Sequence, residues 1–122
     1  MNIAALHHAS LIVSNLDRAR FFYETILGLV PSPSRPPKSF DGVWYDIGPQ
    51  QIHLIVAAES GQPSGMDDYG GMNRHIALTV HDLDALKHEL ERAGMAYTPS
   101  RSGRPVIFCR DPDGNVFELI GG

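Results

Sequence analysis

The chain has 122 residues, 43% of them hydrophobic and 20% charged, and its formal net charge at pH 7 is −4. This composition is ordinary for one globular domain and argues against nucleic acid as the main partner, while the single Cys109 excludes an intramolecular disulfide and a cysteine-based zinc site. No signal-peptide pattern and no membrane-length apolar run are evident, so the sequence predicts a cytoplasmic protein without a membrane partner.

The first half of the chain predicts a strand, a helix and three further strands. Alternation places Leu11 and Val13 on one face of the first strand, and His8 and Ser10 on the other. Asn15 has the chemistry of a helix N-cap. The predicted elements are a strand at 7–13, a helix ending near Leu27 before Gly28 with Ala19, Phe22, Ile26 and Leu27 buried, a short strand at 29–32, and a hairpin of strands 43–47 and 51–56.

The same order of elements returns in the second half. It follows residues 58–72, which are rich in Gly, Ser, Pro and Asp, have no apolar period and predict a linker that could also cover a site. Asp82 is the expected cap of the second helix. The predicted elements are a strand at 75–80, a helix with Leu83, Leu86, Leu90 and Ala93 at helical spacing before Gly94, and strands at 95–99, 105–109 and 115–120, the last two joined by the turn at 111–114.

One short motif occurs in both halves. Residues 8–17 and 75–84 share His, Leu, Val, Leu and Asp in register, with Asn15 opposite Asp82. The two copies begin 67 residues apart and no third copy follows, which indicates one duplicated module rather than a solenoid.

The predicted fold is therefore α+β, with two βαβββ modules related by pseudo-twofold symmetry. The first strand of each module has one apolar face and one face that carries both polar and apolar residues. This pattern indicates a cup-shaped sheet of parallel and antiparallel strands, with helices on its outer face and a cleft on its inner face. The expected organisation is a single domain of residues 1–122, with module 1 at about 6–57, the linker at 58–72 and module 2 at about 73–121.

Four side chains that can bind a metal fall on symmetry-matched positions. His8 and His75 begin the two first strands, and the last strands of the halves align His53 with Glu118. Imidazoles and a carboxylate suit a borderline divalent cation. A single strand histidine is more often structural, but the matched set predicts a metal site. The register with His75 selects His8 rather than His7, which is expected to point the other way.

Three other side chains that could bind a metal or react are expected to lie outside the site. His81 at a strand end and His88 on a helix face are expected to be solvated surface residues. Cys109 lies on a strand without an evident positive partner, so it is expected to be inert packing.

Three motifs extend over nearly the whole chain: His8-x-x-Leu11-x-Val13-x-Asn15-Leu16-Asp17 with Phe22-Tyr23 and Leu27-Gly28 following, Arg74-His75-Ile76-Ala77-Leu78-x-Val80, and Asp111-Pro112-Asp113-Gly114-Asn115-x-Phe117-Glu118-Leu119. In these motifs the chain resembles the vicinal oxygen chelate superfamily, which includes glyoxalase I, fosfomycin-resistance thiol transferases, extradiol dioxygenases and bleomycin-resistance proteins. The motifs are specific for the fold of that superfamily and weak for the reaction.

The resemblance implies a divalent metal ion (Ni, Co, Mn, Fe or Zn) held in the cup by the first and last strands of both modules. His8, His53, His75 and Glu118 match those positions. It also implies a small-molecule substrate, a thiol cofactor such as glutathione, and a homodimer whose metal site lies within one chain or is shared between two. Bacterial glyoxalase I enzymes typically carry a carboxylate at the position of His53. Because this chain has a histidine there, Glu118 is the one carboxylate among the four residues that can act as a base.

The function implied is that of a metal-dependent, glyoxalase-like isomerase or lyase that chelates a substrate through vicinal oxygens. Glu118 would be catalytic, because it can move the proton of the carbon beside those oxygens. A fourth protein ligand counts against a dioxygenase, whose facial site uses three.

Two alternatives stay open. In a fosfomycin-type thiol transferase, Ser10 would lie near the substrate, although Ser10 is also simply a small residue that leaves the cup open. Arg104 could hold an anion or belong to a solvated turn, and Trp44 could line the cup mouth or the core. The second alternative is a non-catalytic drug-binding protein of the bleomycin-resistance type. Such relatives generally lack the metal ligands, so the full set here favours the enzyme.

Overall fold

The computed structural model of the protein describes residues 1–57 and 70–121. The predicted linker lies, up to residue 69, outside these described residues. The chain divides into two compact units, Met1–Ser60 and Gly61–Gly122, and each contains one four-stranded sheet. No helix in the described part of the chain is long and apolar enough to cross a membrane.

The first unit is built in the order strand, helix, and three strands. Strand β1 (His8–Val13) pairs in parallel with β4 (Gln50–Val56), which pairs antiparallel with β3 (Gly42–Ile47). Strand β2 (Val30–Pro31) lies at the edge, giving the sheet order β1-β4-β3-β2. The parallel pair requires a crossover, and the helix between β1 and β2 begins it.

The helix of the first unit changes its geometry halfway. Helix α1 (Leu16–Arg20) begins where Asn15 Oδ1 accepts a hydrogen bond from the backbone N–H of Arg18 at 2.9 Å, as its N-cap position predicts. It continues as a π-helical segment (Phe21–Ile26). Ala19, Phe22 and Ile26 of the predicted stripe are buried, and so is Tyr23, which lies four residues after Ala19 on the same face. The predicted Leu27 is the C-cap and is half-buried.

The second unit repeats the same order. Its elements are β5 (His75–Val80), α2 (Leu83–Arg92), β6 (Tyr97–Pro99), β7 (Val106–Arg110) and β8 (Val116–Gly121), in the sheet order β5-β8-β7-β6. Asp82 Oδ1 caps α2 by accepting from the N–H of Ala85 at 3.0 Å. The predicted stripe of Leu83, Leu86 and Leu90 is buried. Ala93 is exposed, because it is the C-cap rather than part of the helix face.

The turn between β7 and β8 is held by a buried carboxylate. Asp111 is 4% exposed, and its Oδ1 accepts from the backbone N–H groups of Asp113 at 2.9 Å and Asn115 at 2.8 Å. Gly114 has a φ of 87°, which a residue with a side chain rarely adopts. The turn predicted at 111–114 is therefore present and self-supporting.

Both units thus have the βαβββ order with matching strand orders, and the predicted α+β class with two similar modules is confirmed. The helix-facing sides of the sheets supply much of the core. In the first unit it includes Val13, Val43, Tyr45, Ile52 and Leu54, and in the second Ile107, Cys109, Phe117 and Leu119. The opposite faces carry the predicted site residues His8, Ser10, Trp44, His53, His75 and Glu118, whereas Arg104 lies in the turn between β6 and β7.

Candidate metal-binding site

The first unit brings His8 and His53 together on one face of its sheet. His8 is paired in register with Gln51, two residues before His53, so the three side chains point to the same side. The ring centroids of His8 and His53 are 3.9 Å apart and their planes differ by 16°. Trp44 stacks on His53 as well, with centroids 3.9 Å apart and an angle of 3°. Since β4 lies between β1 and β3, His53 is the middle ring of a three-ring stack.

Hydrogen bonds fix which nitrogen of His53 carries its proton. Gln51 Nε2 lies 2.8 Å from Asp46 Oδ1, and His53 Nε2 lies 2.8 Å from Gln51 Oε1. A carboxylate only accepts, so the Gln51 amide donates to Asp46 and its oxygen accepts from His53 Nε2–H. Burial, followed by the neighbouring charge of His8, lowers the pKa of His53 to about 4. His53 is thus a neutral imidazole with its lone pair on Nδ1.

The sequence predicts that His7 points away from the face of His8, and this prediction is wrong. Its Nδ1 lies 2.8 Å from His8 Nδ1, and the two rings meet edge to face with centroids 5.1 Å apart. Strand β1 begins at His8, so His7 precedes the strand and is not held by its alternation.

The second unit brings His75 and Glu118 together in the equivalent way. His75 is paired with Val116, two residues before Glu118, on the sheet face away from α2. His75 Nδ1 lies 2.7 Å from the backbone oxygen of Asn73, which can only accept, so Nδ1 carries the proton. The lone pair of the neutral ring is then on Nε2, 3.6 Å from Glu118 Oε1.

The two pairs differ in their fit to a metal ion. Metal bonds of about 2.1 Å put neighbouring donor atoms about 3.0–3.5 Å apart, close to the 3.6 Å between His75 and Glu118. An imidazole binds a metal in its own plane, and the nearly parallel planes of His8 and His53 do not meet near the rings. Within residues 1–57 and 70–121, no three His, Cys, Asp or Glu side chains form a metal-binding group. As arranged, the His75–Glu118 pair fits a divalent cation and the His8–His53 pair does not.

The other predicted site residues lie around these pairs or apart from them. Ser10 is exposed and paired in register with His53, and Trp44 contacts the same ring. Arg104 is exposed, and its Nε donates to Ser102 Oγ at 3.3 Å within its own turn. Roles for Ser10, Trp44 and Arg104 in substrate binding therefore stay predictions.

Three side chains that were expected to lie outside the site have the predicted exposure. His81 and His88 are exposed. Cys109 is 3% exposed, and burial raises the pKa of its thiol to about 12, so it remains protonated and inert.

Sequence reasoning missed the two groups that form hydrogen bonds with the candidate ligands His53 and His75. Gln51 and the carbonyl of Asn73 each precede by two residues the histidine that they hold. Gln51 was detectable in principle, since it is a polar residue on the same strand face as His53. The Asn73 interaction uses a backbone atom and leaves no trace in residue type.

Comparisons with known proteins identify the family of the chain. The family model described as Glyoxalase/Bleomycin resistance protein/Dioxygenase superfamily matches residues 5–119. The chain belongs to this superfamily. It is 33% identical over 124 residues to "Uncharacterized protein PA2024" of Pseudomonas aeruginosa, covering 96% of the chain and 88% of that relative. It is 28% identical over 122 residues to "Lactoylglutathione lyase" of Salmonella typhimurium, covering 94% and 90%.

A solved structure shows the same fold. It is a mutant of the fosfomycin resistance protein FosX from Listeria monocytogenes, in complex with Mn(II) and 1S,2S-dihydroxypropylphosphonic acid. Its TM-score to this superfamily member is 0.76 at 22% identity, with 98% of this chain and 93% of that chain covered.

Proposed function

We propose that this protein is a divalent-metal-dependent, glyoxalase-like enzyme, an isomerase or lyase that acts on a small substrate with vicinal oxygens. The observation that carries the proposal is the His75–Glu118 pair, in which a backbone hydrogen bond leaves Nε2 of His75 directed towards a carboxylate 3.6 Å away. The similarity to the Salmonella lactoylglutathione lyase over 94% of the chain supports it. The Mn(II) in the FosX complex supports a divalent cation as the cofactor.

In this proposal His75 and Glu118 hold the metal from the second module, and His8 and His53 complete the set. The proposal requires the His8 ring to leave His53, because their planes do not converge as stacked. A bound divalent cation polarises paired substrate oxygens and makes a proton on the adjoining carbon acidic.

Glu118 is the proposed base. Its carboxylate takes the proton from one carbon and returns it to the neighbouring carbon, so that the reaction is an isomerisation with no net change of atoms or electrons. His75 cannot take over this task while its Nδ1 donates to Asn73 and its Nε2 is a ligand. With His53 in place of a second carboxylate, one base serves both halves of the proton transfer.

The organisation of the site belongs to the same proposal. Residues 1–122 act as a single domain of two modules, and two copies form a homodimer. A thiol such as glutathione is the proposed source of a hemithioacetal substrate.

The first test is elemental analysis of protein purified without a chelator or a histidine tag, followed by loading with nickel, cobalt, manganese or zinc. We expect near-stoichiometric metal. The loaded protein is then assayed for hemithioacetal isomerisation and, separately, for thiol addition to fosfomycin. Activity in only the second assay would replace the isomerase by a thiol transferase, and failure to bind any of these ions would favour a sequestering protein.

Variants separate metal binding from catalysis. We expect His75→Ala and Glu118→Ala to abolish metal uptake, and Glu118→Gln to lower the isomerisation rate about 10²–10⁴-fold at matched metal content. His88→Ala, which removes an exposed imidazole on α2, is the control and should change neither. Unchanged metal content in His75→Ala would refute the site, and full activity of Glu118→Gln would exclude this base.

A further inference from the structure

A cavity of about 250 Å³ lies in the second unit, along strands β6, β7 and β8. Its lining is mostly apolar, including Phe108 and Val116, and the charged side chain among the lining residues is Arg110. The volume equals that of about eight water molecules in the liquid. It is smaller than a typical pocket for a whole ligand, so it suits one part of a larger molecule.

The strand register places three of the lining residues, Phe108, Arg110 and Val116, on the same sheet face as His75 and Glu118. Val116 is paired with His75 on one side and with Arg110 on the other. Phe108 is paired with Glu118 and lies two residues before Arg110. Residues paired across strands share a face, and adjacent strands are about 4.8 Å apart, so the Cα atoms of Arg110 and His75 are about 10 Å apart.

A direct contact joins the cavity to the proposed ligands. The ring of His75 meets the ring of Phe108 edge to face, with centroids 5.7 Å apart. Phe108 is 6% exposed and Val116 is 4% exposed, so only a small part of each side chain borders the cavity beside His75. A molecule that reached both His75 and Arg110 would pass along these two side chains.

The chemistry of the lining indicates the kind of group that would occupy it. A guanidinium offers a planar fork of N–H donors that matches carboxylate and phosphonate oxygens. Beside apolar walls, such charge-assisted hydrogen bonds are less weakened by solvent than on an open surface. Short apolar chains would fill the remaining space against Phe108 and Val116.

We propose that this cavity is a subsite for an anionic arm, a carboxylate or phosphonate on a short apolar chain, of the substrate that is processed at His75 and Glu118. Arg110 is then a specificity-determining residue, in a role that the sequence suggested for Arg104. The role of the subsite in catalysis rests on the proposed function, whereas anion binding in the cavity does not.

The experiment is an NMR titration of the ¹⁵N-labelled, metal-free chain with pentanoate, butylphosphonate and neutral pentanol. We expect both anions to shift the amide signals of residues 95–98, 108–110 and 116, and to bind more tightly than pentanol. Arg110→Gln should weaken anion binding about ten-fold or more. Arg92→Gln removes the same charge from the exposed end of α2 and should bind as the wild type does.

Several results would overturn the subsite: no anion binding by the wild type, equal binding of pentanol and pentanoate, or unchanged binding in Arg110→Gln. If Arg110→Gln loses its folded spectrum, Ala96→Trp at the exposed end of the lining should block anion binding instead. Since these titrations use no metal, they remain valid if metal binding fails. If metal binds normally and the anions do not, only the subsite is refuted.

In the metal-loaded enzyme, Arg110 should determine the preference for anionic over neutral substrates. Hemithioacetals made from mercaptoacetate and from 2-mercaptoethanol differ mainly in one anionic group. Arg110→Gln should lower kcat/KM for the first about ten-fold, mainly through KM, and leave the second unchanged. An equal loss for both would show a structural role for Arg110 and would contradict the inference.

Discussion

Trp44 and His53 lie face to face, with ring centroids 3.9 Å apart and planes only 3° apart, and His8 stacks on the opposite side of His53. Trp44 is the single tryptophan of the sequence. Its indole therefore reports on the stack without interference from another tryptophan. The stack holds two proposed ligands in an arrangement that cannot bind one ion together, so metal binding and stacking should compete.

We therefore predict that Zn²⁺ changes the fluorescence of Trp44 when it is added to the metal-free protein. Zn²⁺ has a filled d shell, so the change reports on the rings rather than on redox chemistry. His8→Ala already lacks the outer ring and should show no Zn²⁺ response. His7→Ala, which removes the neighbouring imidazole, should respond like the wild type.

Elemental analysis of the same samples makes this prediction decisive. A wild-type sample that holds stoichiometric zinc with an unchanged emission spectrum would show that the stack persists. In that case His8 would be no ligand, and the site would consist of His75 and Glu118 with other groups.

The strand positions of these four proposed ligands could be predicted from the sequence because they depend on strand periodicity alone. His53 and Glu118 align by counting along matching strands, and the register confirms that each lies two residues beyond the partner of the first-strand histidine. The ring stack could not be predicted, because side-chain rotamers depend on neighbours from three strands. The burial of Tyr23 agrees with the helical period, since Tyr23 lies four residues after Ala19, and was predictable from the sequence.

The choice of arginine shows a second limit of sequence reasoning. Arg104 was singled out because it lies in a basic loop, yet its side chain donates to Ser102 in the same turn. Arg110 lies within a strand next to a buried turn and has no special sequence signal. Its position on the face of Glu118 follows only from the pairing of β7 with β8.

Gln51 should act as a positioning residue for His53. Its oxygen accepts from His53 Nε2–H, which leaves Nδ1 as the nitrogen with the lone pair. Partners of this kind typically change metal affinity 10–100-fold. We predict that Gln51→Leu lowers zinc affinity about ten-fold in a competition titration against a chelating dye. Gln50→Leu alters the exposed neighbour and should leave the affinity unchanged.

The opposite result would also be informative about the ligand atom. A rise in zinc affinity in Gln51→Leu would mean that the hydrogen bond competes with the metal for Nε2. The tautomer assignment would then hold only for the metal-free protein.

The pH dependence of stability should depend on Glu24. Tyr45 Oη donates to Glu24 Oε2 at 2.8 Å, and Arg20 Nε donates to the same oxygen at 2.6 Å. Burial raises the pKa of Glu24, but the hydrogen bonds from Arg20 and Tyr45 outweigh it, so the pKa lies below its ordinary value of 4.5. A carboxyl with a lowered folded pKa stabilises the protein fully above its unfolded pKa, and this contribution is lost as the pH falls through the folded value.

Tyr45→Phe removes one of these donors. We predict a loss of about 1 kcal/mol in the free energy of unfolding at pH 7, and a smaller difference from the wild type at pH 3, measured by urea unfolding. Tyr97→Phe removes a hydroxyl that donates to Glu91 at 2.6 Å on the surface and should have a smaller effect. A difference between wild type and Tyr45→Phe that does not narrow in acid would contradict the role of Glu24.

The last prediction concerns whether one chain or two supply the ligands. His8 and His53 lie in the first module and His75 and Glu118 in the second, so the four proposed ligands come either from one chain or from both chains of the proposed homodimer. We therefore mix a His8→Ala/His53→Ala variant with a His75→Ala/Glu118→Ala variant, neither of which should bind metal alone. In a shared site, a heterodimer combines the intact first module of one chain with the intact second module of the other.

Random subunit exchange would then restore metal to about a quarter of all sites, because half of the dimers are mixed and each mixed dimer has one intact site of two. Native mass spectrometry verifies the exchange, and elemental analysis measures the metal. Verified heterodimers without metal would place all four ligands within a single chain. In that case, the intact module of one chain cannot replace the altered module of its partner.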